Sequence, residues 1–495
     1  MSLHNLRSFI EVESGHGSQI SNPTAAMCRD GKPTLSHTSV HEMDDMRGAR
    51  PVNINTTTKW SPSPTATTPN ELERSTPSTP IGNEAVDESQ SIWSPPITRW
   101  RLLSGCLMSF GGGLNDSIPG AIIPYMETDY NIGYAVVSLI FVANALGFIL
   151  AAPCTYYLEN RLGRSRVYML SFALLVATYV AIVCHPPFPV VVVAFFLLGF
   201  GLATNLALNN VFCANLAERT LALGALHGSY GIGGTVGPLM ATAIASNGIQ
   251  WPFVYFISLG ISAFNLVFSG WTFRNYEKDF PSQVHAPLQQ TTSQQDSESP
   301  SKKQLLKQAV KNRVTLLGAL FIFAYQGAEV SISGWVVSFL IAYRNGDPSN
   351  VGYVSAGFWA GITIGRFLLS HPAHKFGEKI SVVVLIAGSI VFQILVWFVP
   401  NVIGDAVTVS IVGLLLGPVY PCATSVFAVL LPRSIQISSL GFISAMGSSG
   451  GAVAPFFTGL LAQKFSTVVL HPICVALYAS MIVCWFYLPR IRKEE

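Results

Sequence analysis

From Trp100 onward, apolar runs follow one another with short breaks of charge, proline or glycine. They lie near 100–124, 133–157, 167–185, 188–212, 222–246, 251–272, 313–341, 352–370, 380–399, 406–430, 437–462 and 469–488. A helix of ~20 residues spans a ~30 Å hydrocarbon core, so each run predicts one membrane-crossing helix. The pattern as a whole predicts an all-α membrane protein with twelve transmembrane helices. Residues 1–97 are rich in Ser, Thr, Pro and Asn without helical or strand periodicity, which predicts a disordered tail. A second polar stretch, 273–312, predicts a linker between a six-helix bundle at 98–272 and another at 313–490, with 491–495 as the chain end.

Composition narrows the class. Half of the 495 residues are apolar and 11% are charged, against roughly 25% charged in a soluble domain. Lys and Arg gather in alternate connections: Arg99 and Arg101; Arg161, Arg164 and Arg166; Arg219; Arg274 through Arg313; Lys375 and Lys379; Arg433; Arg490, Arg492 and Lys493. The other breaks hold only Arg344 and Lys464. By the positive-inside rule both termini and the 273–312 loop are expected to be cytoplasmic, so the net charge of +3 speaks to orientation and not to nucleic acid. The opening MSLHNLRSFIEVESG has no sustained apolar core, so no cleaved signal peptide is expected. The sequons at Asn55 and Asn115 fall in the tail and within a helix, out of reach of lumenal glycosylation. Ser-Pro and Thr-Pro pairs at Ser61, Ser63, Thr68, Thr76, Thr79 and Ser94 are candidate phosphate acceptors. The eight cysteines show no CxxC or Cys/His metal spacing, and no metal or cofactor is expected.

The two halves align on each other at a nearly constant offset. Asn160-Arg161-Leu162-Gly163-Arg164 matches His374-Lys375-Phe376-Gly377-Glu378 at 214; Val211-Phe212 matches Val426-Phe427 at 215. Gly233-Gly234-Thr235-Val236-Gly237-Pro238 matches Gly450-Gly451-Ala452-Val453-Ala454-Pro455 at 217. Agreement among unrelated landmarks predicts a tandem duplication of six-helix units.

An acid at membrane depth costs roughly 2.5–3.5 kcal/mol on insertion scales and seldom faces lipid. The first run carries one, Asp116, in FGGGLNDSIPG, where Gly111 to Gly113 allow close helix approach and Pro119 frees a carbonyl. An offset of 213 places Glu329 of the seventh run on Asp116. Both are expected near mid-membrane, at the interface between repeats where transporter sites form. Close and both ionised, they would repel, so a shared proton is expected. The further cavity candidates are Asn115, Asn144, Asn205, Asn209, Asn210, His227, Tyr230, Tyr325, Gln326, Trp335, Trp359 and Tyr420. Amides beside aromatic faces suit a polar organic solute by hydrogen bonding and stacking.

Two six-helix halves, a central loop and the basic turn Arg161-Leu162-Gly163-Arg164 resemble the major facilitator superfamily over about 100–490. That family's Gly-x-x-x-Asp-Arg-x-Gly-Arg-Arg pattern falls on Tyr156, Asn160, Arg161, Gly163, Arg164 and Ser165, so the Arg-x-Gly-Arg core is kept and the Gly and Asp are not. The resemblance implies a cytoplasmic gate at Asn160, Arg161, Gly163 and Arg164. LNDSIPGAIIPY is similar to the first helix of the fucose:proton symporter group, and GAEVSISGW to the seventh helix of its eukaryotic relatives, among them sodium-coupled sugar carriers and fungal transporters. This implies a proton- or ion-binding role for Asp116. The group's second acid falls on Asn205, so fucose itself does not carry over, and Glu329 is expected to take that part.

The expected function is secondary active transport of a small sugar-like or polar metabolite by alternating access, coupled to protons with sodium as the alternative ion, in a monomer at the plasma membrane. Export of a fungal secondary metabolite is the alternative within this class, and a transporter-like nutrient sensor the alternative outside it. No phosphate-binding glycine loop or nucleophile–base spacing points to an ATPase or other enzyme.

Overall fold

The computed structural model describes residues 90–279, 302–432 and 434–489, all within the second of the two units into which the chain divides, Asn83–Glu495. The Ser-Pro and Thr-Pro pairs from Ser61 to Thr79, Asn55, the middle of the linker, Arg433 and the 491–495 end lie outside the described residues. Every regular element described is a helix. The long ones are α1 (Ile97–Tyr130), α2 (Leu139–Leu162), α3 (Arg164–Val183), α4 (Phe188–Ala214), α5 (Arg219–Ser246) and α6 (Tyr255–Thr272), then α7 (Arg313–Arg344), α8 (Tyr353–Leu368), α9 (Glu378–Phe398), α10 (Val402–Leu430, interrupted at Gly417 and Pro418), α11 (Gln436–Lys464) and α12 (Leu470–Phe486).

Among the described residues nine helices are long and apolar enough to cross a membrane: α2, α3, α4, α6, α7, α9, α10, α11 and α12. The chain is an all-α multi-pass membrane protein. The three long helices outside that set, α1, α5 and α8, carry glycine and polar runs such as GGGLND and HGSYGIGG, or are short, as is α8 with 16 residues. Glycine on α1 and α5 lets these two helices pack closely on one another.

Local chemistry sets the helix ends. Asn131 ends α1 in the left-handed region at φ 52°, its N–H donating to the Glu127 carbonyl, and Asn345 ends α7 the same way at φ 54°. Asn312 caps α7 by accepting from the N–H groups of Val314 and Thr315 at 2.8 and 3.2 Å. Glycine then decides which helices meet. A Cβ on Gly233 would stand 2.1 Å from the Phe110 carbonyl oxygen, and one on Gly450 2.0 Å from that of Phe323. Without a hydrophobic drive in lipid, such close van der Waals approach is what holds α1 on α5 and α7 on α11.

The first six long helices and the last six touch around Tyr134 and Pro348 and along α5 and α8, where Gly234 packs on Trp359, Gly231 on Thr363 and Gly228 on Phe367. Tyr125 donates to the Pro348 carbonyl at 3.3 Å, and Trp335 stands edge-on to Tyr134 at 5.7 Å while donating to the Pro455 carbonyl at 2.9 Å. On α11, Gly459 packs against Ser138, and on α5, Thr242 packs against Gly352. Gly441 and Gly224 lie on the same two helix faces, 18 residues or five turns away, and a Cβ on either would meet nothing within 4 Å.

Two expected boundaries move. The tail, expected to stay disordered to 97, meets the bundle from Gln90: Ser91 and the Ile92 N–H donate to the Glu218 carboxylate at 2.7 and 2.8 Å, the Ala217 N–H donates to the Gln90 carbonyl at 3.0 Å, and Ile92 is buried. The linker is also ordered at its described ends, as the short helices Tyr276–Asp279 and Lys302–Lys311. Tyr276 is buried beneath Arg101 and Arg164, whose guanidinium carbons lie 5.3 and 4.4 Å from its ring. Aromatic stacking against the arginines holds it there.

Candidate functional site

Asp116 sits in the middle of α1, which runs on as one helix through Pro119 and Pro124. Its Oδ2 accepts from the Tyr230 hydroxyl of α5 at 2.7 Å, and its Oδ1 from Asn115 Nδ2 at 3.3 Å. Asn115 is buried and accepts in turn from Tyr179 of α3 at 3.2 Å. These partners of Asp116 are neutral donors.

Glu329 sits in the middle of α7 and is buried. Its Oε1 accepts from Tyr325, one turn earlier, at 3.4 Å and from Arg366 Nη2 of α8 at 3.5 Å. The Tyr325 hydroxyl also lies 3.3 Å from the Leu416 carbonyl, beside the break in α10, and its ring lies 5.7 Å from that of Tyr420. Each acid has its own hydrogen-bond partners. They remain in electrostatic range of one another.

Tyr230 joins the two sides. Its ring meets Trp359 of α8 edge-to-face at 6.2 Å, and its hydroxyl lies in the fields of Asp116, Glu329 and Arg366. His227, one turn before Tyr230 and exposed, is also in range of Arg366. Asp116, Tyr230, Trp359, Glu329, Tyr325, Arg366 and Tyr420 accordingly form one polar and aromatic group where α1, α5, α7, α8 and α10 converge.

The other sequence candidates stand elsewhere. Asn205 accepts from Ser171, and Asn209 accepts from Tyr168 at 2.7 Å and donates toward Met108 Sδ at 3.1 Å, so Asn205 ties α4 to α3 and Asn209 ties α4 to α3 and α1. Asn144 of α2 lies against α4 at Gly199, and Gln326 of α7 against α11 at Gly447. Trp335 belongs to the contact with Tyr134 and Pro455. In the basic turn Arg164 is buried, donating to Glu159 at 2.8 Å and to Tyr276 at 2.9 Å, while Glu277 accepts from its backbone N–H at 2.7 Å. Arg161 is exposed, 4.5 Å above the Tyr157 ring, next to exposed Asn160 and to Gly163 at φ 80°. The turn thus ties α2 and α3 to the segment after α6; the carboxylate missing at Asn160 is supplied one residue earlier by Glu159.

Arg366 was not among the residues singled out from sequence. Its signal was present: a lone arginine within the apolar run FWAGITIGRFLL obeys the same rule that drew attention to Asp116. Tyr179 gave no such signal, because a tyrosine in an apolar helix is ordinary.

The sequence profile of the Major Facilitator Superfamily matches residues 105–434 and 331–495, and the chain belongs to that superfamily. It is a transporter of small solutes across a membrane, not an enzyme. The chain is 24% identical over 430 residues to the "Bypass of stop codon protein 6" of Saccharomyces cerevisiae, covering 80% of this chain and 84% of that protein. It is 24% identical over 384 residues to the "Nitrite extrusion protein" of Bacillus subtilis, covering 74% and 89%. Among solved structures, that of a point mutant of the nucleoside transporter NupG superposes with a TM-score of 0.60 at 14% identity, covering 78% of this chain and 98% of that one, a likeness of fold.

Proposed function

We propose that this protein is a proton-coupled carrier of a neutral polar organic solute that works by alternating access, with Asp116 as the coupling carboxylate. The observation that carries the reading is the difference between the two acids. Glu329 lies beside a guanidinium, whereas the donors on Asp116 are an amide and a phenol. A carboxylate held by neutral groups can take up a proton without leaving a buried cation unpaired. Arg366, compensated by Glu329, carries no free positive charge for an anion such as nitrite; its remaining N–H groups, with Tyr230, Trp359, Tyr325 and Tyr420, suit hydroxyls and a flat or puckered ring. The Leu114–Tyr125 stretch supports placing the chain near the fucose:proton symporter group.

The reading takes the chain as twelve spans in two six-helix halves, 98–272 and 313–490. Helix ends at Asn131 and Asn345, and the positive-φ glycines at 163 and 377, support it, because both pairs stand 214 residues apart. The end of the bundle that bears Arg101, Arg164 and Arg313 is cytoplasmic by the positive-inside rule, with both termini on that side and the carrier at the plasma membrane. Import or export is set by the gradients imposed, through the same carboxylate. Flux into vesicles holding the purified protein, screened over sugars, nucleosides and secreted metabolites under pH or sodium gradients, tests this reading. Accumulation driven by a pH gradient is expected; accumulation that follows sodium alone, or none across neutral polar solutes, contradicts it.

A further inference from the structure

Behind Asp116, on the side away from Tyr230, stands a second polar contact. Tyr179 of α3 is 1% exposed, and its hydroxyl donates to Asn115 Oδ1 at 3.2 Å. Asn115, also 1% exposed, turns its Nδ2 toward Asp116 Oδ1 at 3.3 Å. The Tyr179 ring is stacked on Tyr255 of α6, centroids 5.9 Å apart at 24°, so its place is fixed from the far side. Tyr179 is therefore neither in the solute group nor lipid-facing.

The two ends of an amide are chemically opposite: the NH2 donates and the carbonyl accepts. An ionised carboxylate only accepts, while a protonated one also donates. Which end of Asn115 faces Asp116 thus decides which form of the acid is favoured locally, and Tyr179, on the other side of the same amide, holds the carbonyl end. A phenol hydroxyl both donates and accepts, so it can follow the amide when it turns.

We propose that Tyr179 is a positioning residue for the coupling carboxylate, acting through Asn115 to keep the amide NH2 directed at Asp116 and to turn with it when the acid is protonated. This rests on the reading of Asp116 as the group that gains and loses the proton. The titratable and charged groups around Asp116 are Tyr179 on α3, Tyr230 on α5 and Glu329 on α7; Arg366 on α8 acts on Tyr230 and Glu329, and Tyr255 on α6 acts on Tyr179. Of these only Tyr179 reaches Asp116 through the Asn115 amide.

The test uses the full-length protein in vesicles and the proton itself as probe. Infrared difference spectra over a pH titration report protonated carboxyl groups, and the band absent from Asp116→Asn belongs to Asp116. In Tyr179→Phe that band should change frequency, and its midpoint should move by about half a pH unit or more. Tyr255→Phe, which removes from the same ring stack a hydroxyl with no hydrogen-bond partner among the described residues, should leave both unchanged. If Tyr179→Phe does not fold, Tyr179→Leu removes the same hydroxyl with less bulk against Tyr255 and should give the same displacement. An Asp116 band with wild-type frequency and midpoint in the folded variant overturns the role of Tyr179 alone. Spectra in which Asp116→Asn removes no titrating band overturn the reading of Asp116 itself, so the two failures are distinguishable.

Discussion

Tyr230 and Asp116 are joined by a 2.7 Å hydrogen bond between α5 and α1, and the same tyrosine ring stands against Trp359 of α8. The contact between α5 and α8 and the hydrogen bond to the acid therefore share one side chain. Protonating Asp116 weakens its pull on the hydroxyl, and a tyrosine released from the acid is free to reset its packing on Trp359.

Tyr230→Phe keeps the ring contact and removes the hydrogen bond. A hydrogen bond to a charged group is worth about 1.5–3 kcal/mol, so coupled transport per folded molecule should fall by about tenfold or more. Amounts in the membrane should not change. Unaltered transport at normal expression would detach the tyrosine from coupling.

Arg366→Gln leaves the Glu329 carboxylate buried without its guanidinium. Thermal midpoints of purified protein should drop in Arg366→Gln and recover in part when Glu329→Gln is added, with a coupling of ~0.5–3 kcal/mol expected for groups in contact. Arg366 is partly exposed, which favours the lower part of that range. Strict additivity would mean that the pair is not an energetic unit.

The clasp between Glu218 and residues 91–92 lies outside the membrane helices and should respond to pH. The Ile92 N–H, then the Ser91 hydroxyl, hold the Glu218 carboxyl below the usual glutamate value. A lowered folded value means that the clasp is fully formed above the ordinary glutamate value and is lost as pH falls through the lower one. Hydrogen exchange at Ile92, corrected for its intrinsic pH dependence, should therefore accelerate only in acid, below the ordinary glutamate range. In Glu218→Gln it should be faster at neutral pH and show no acid step. Equal protection in both proteins would show that other contacts hold the segment.

Much of this arrangement was legible in the sequence because lipid makes charge conspicuous. Asp116 and Glu329 stood out in apolar runs, and the 213-residue offset paired them before any coordinates. Arg366 escaped because it lies close to the basic residues that follow α8, where an arginine reads as part of the membrane edge. The amides of α4 could not be assigned, because Asn205 and Asn209 sit one turn apart and only the rotation of α4 about its axis turns them toward Ser171 and Tyr168 rather than toward solute. Likewise Gln90 to Ile92 share the composition of the tail, and their docking depends on Glu218, distant in the chain. Pairwise partners of this kind are set by packing, which periodicity does not encode.

Asp116→Asn tests the coupling role of the carboxylate most directly. The asparagine keeps the shape and can still accept from Tyr230, but it can neither bind nor release a proton. With the solute identified in the vesicle screen, exchange down its own gradient should persist while accumulation driven by a pH gradient disappears, both normalised to folded protein in the membrane. Undiminished pH-driven accumulation by Asp116→Asn would contradict the central claim.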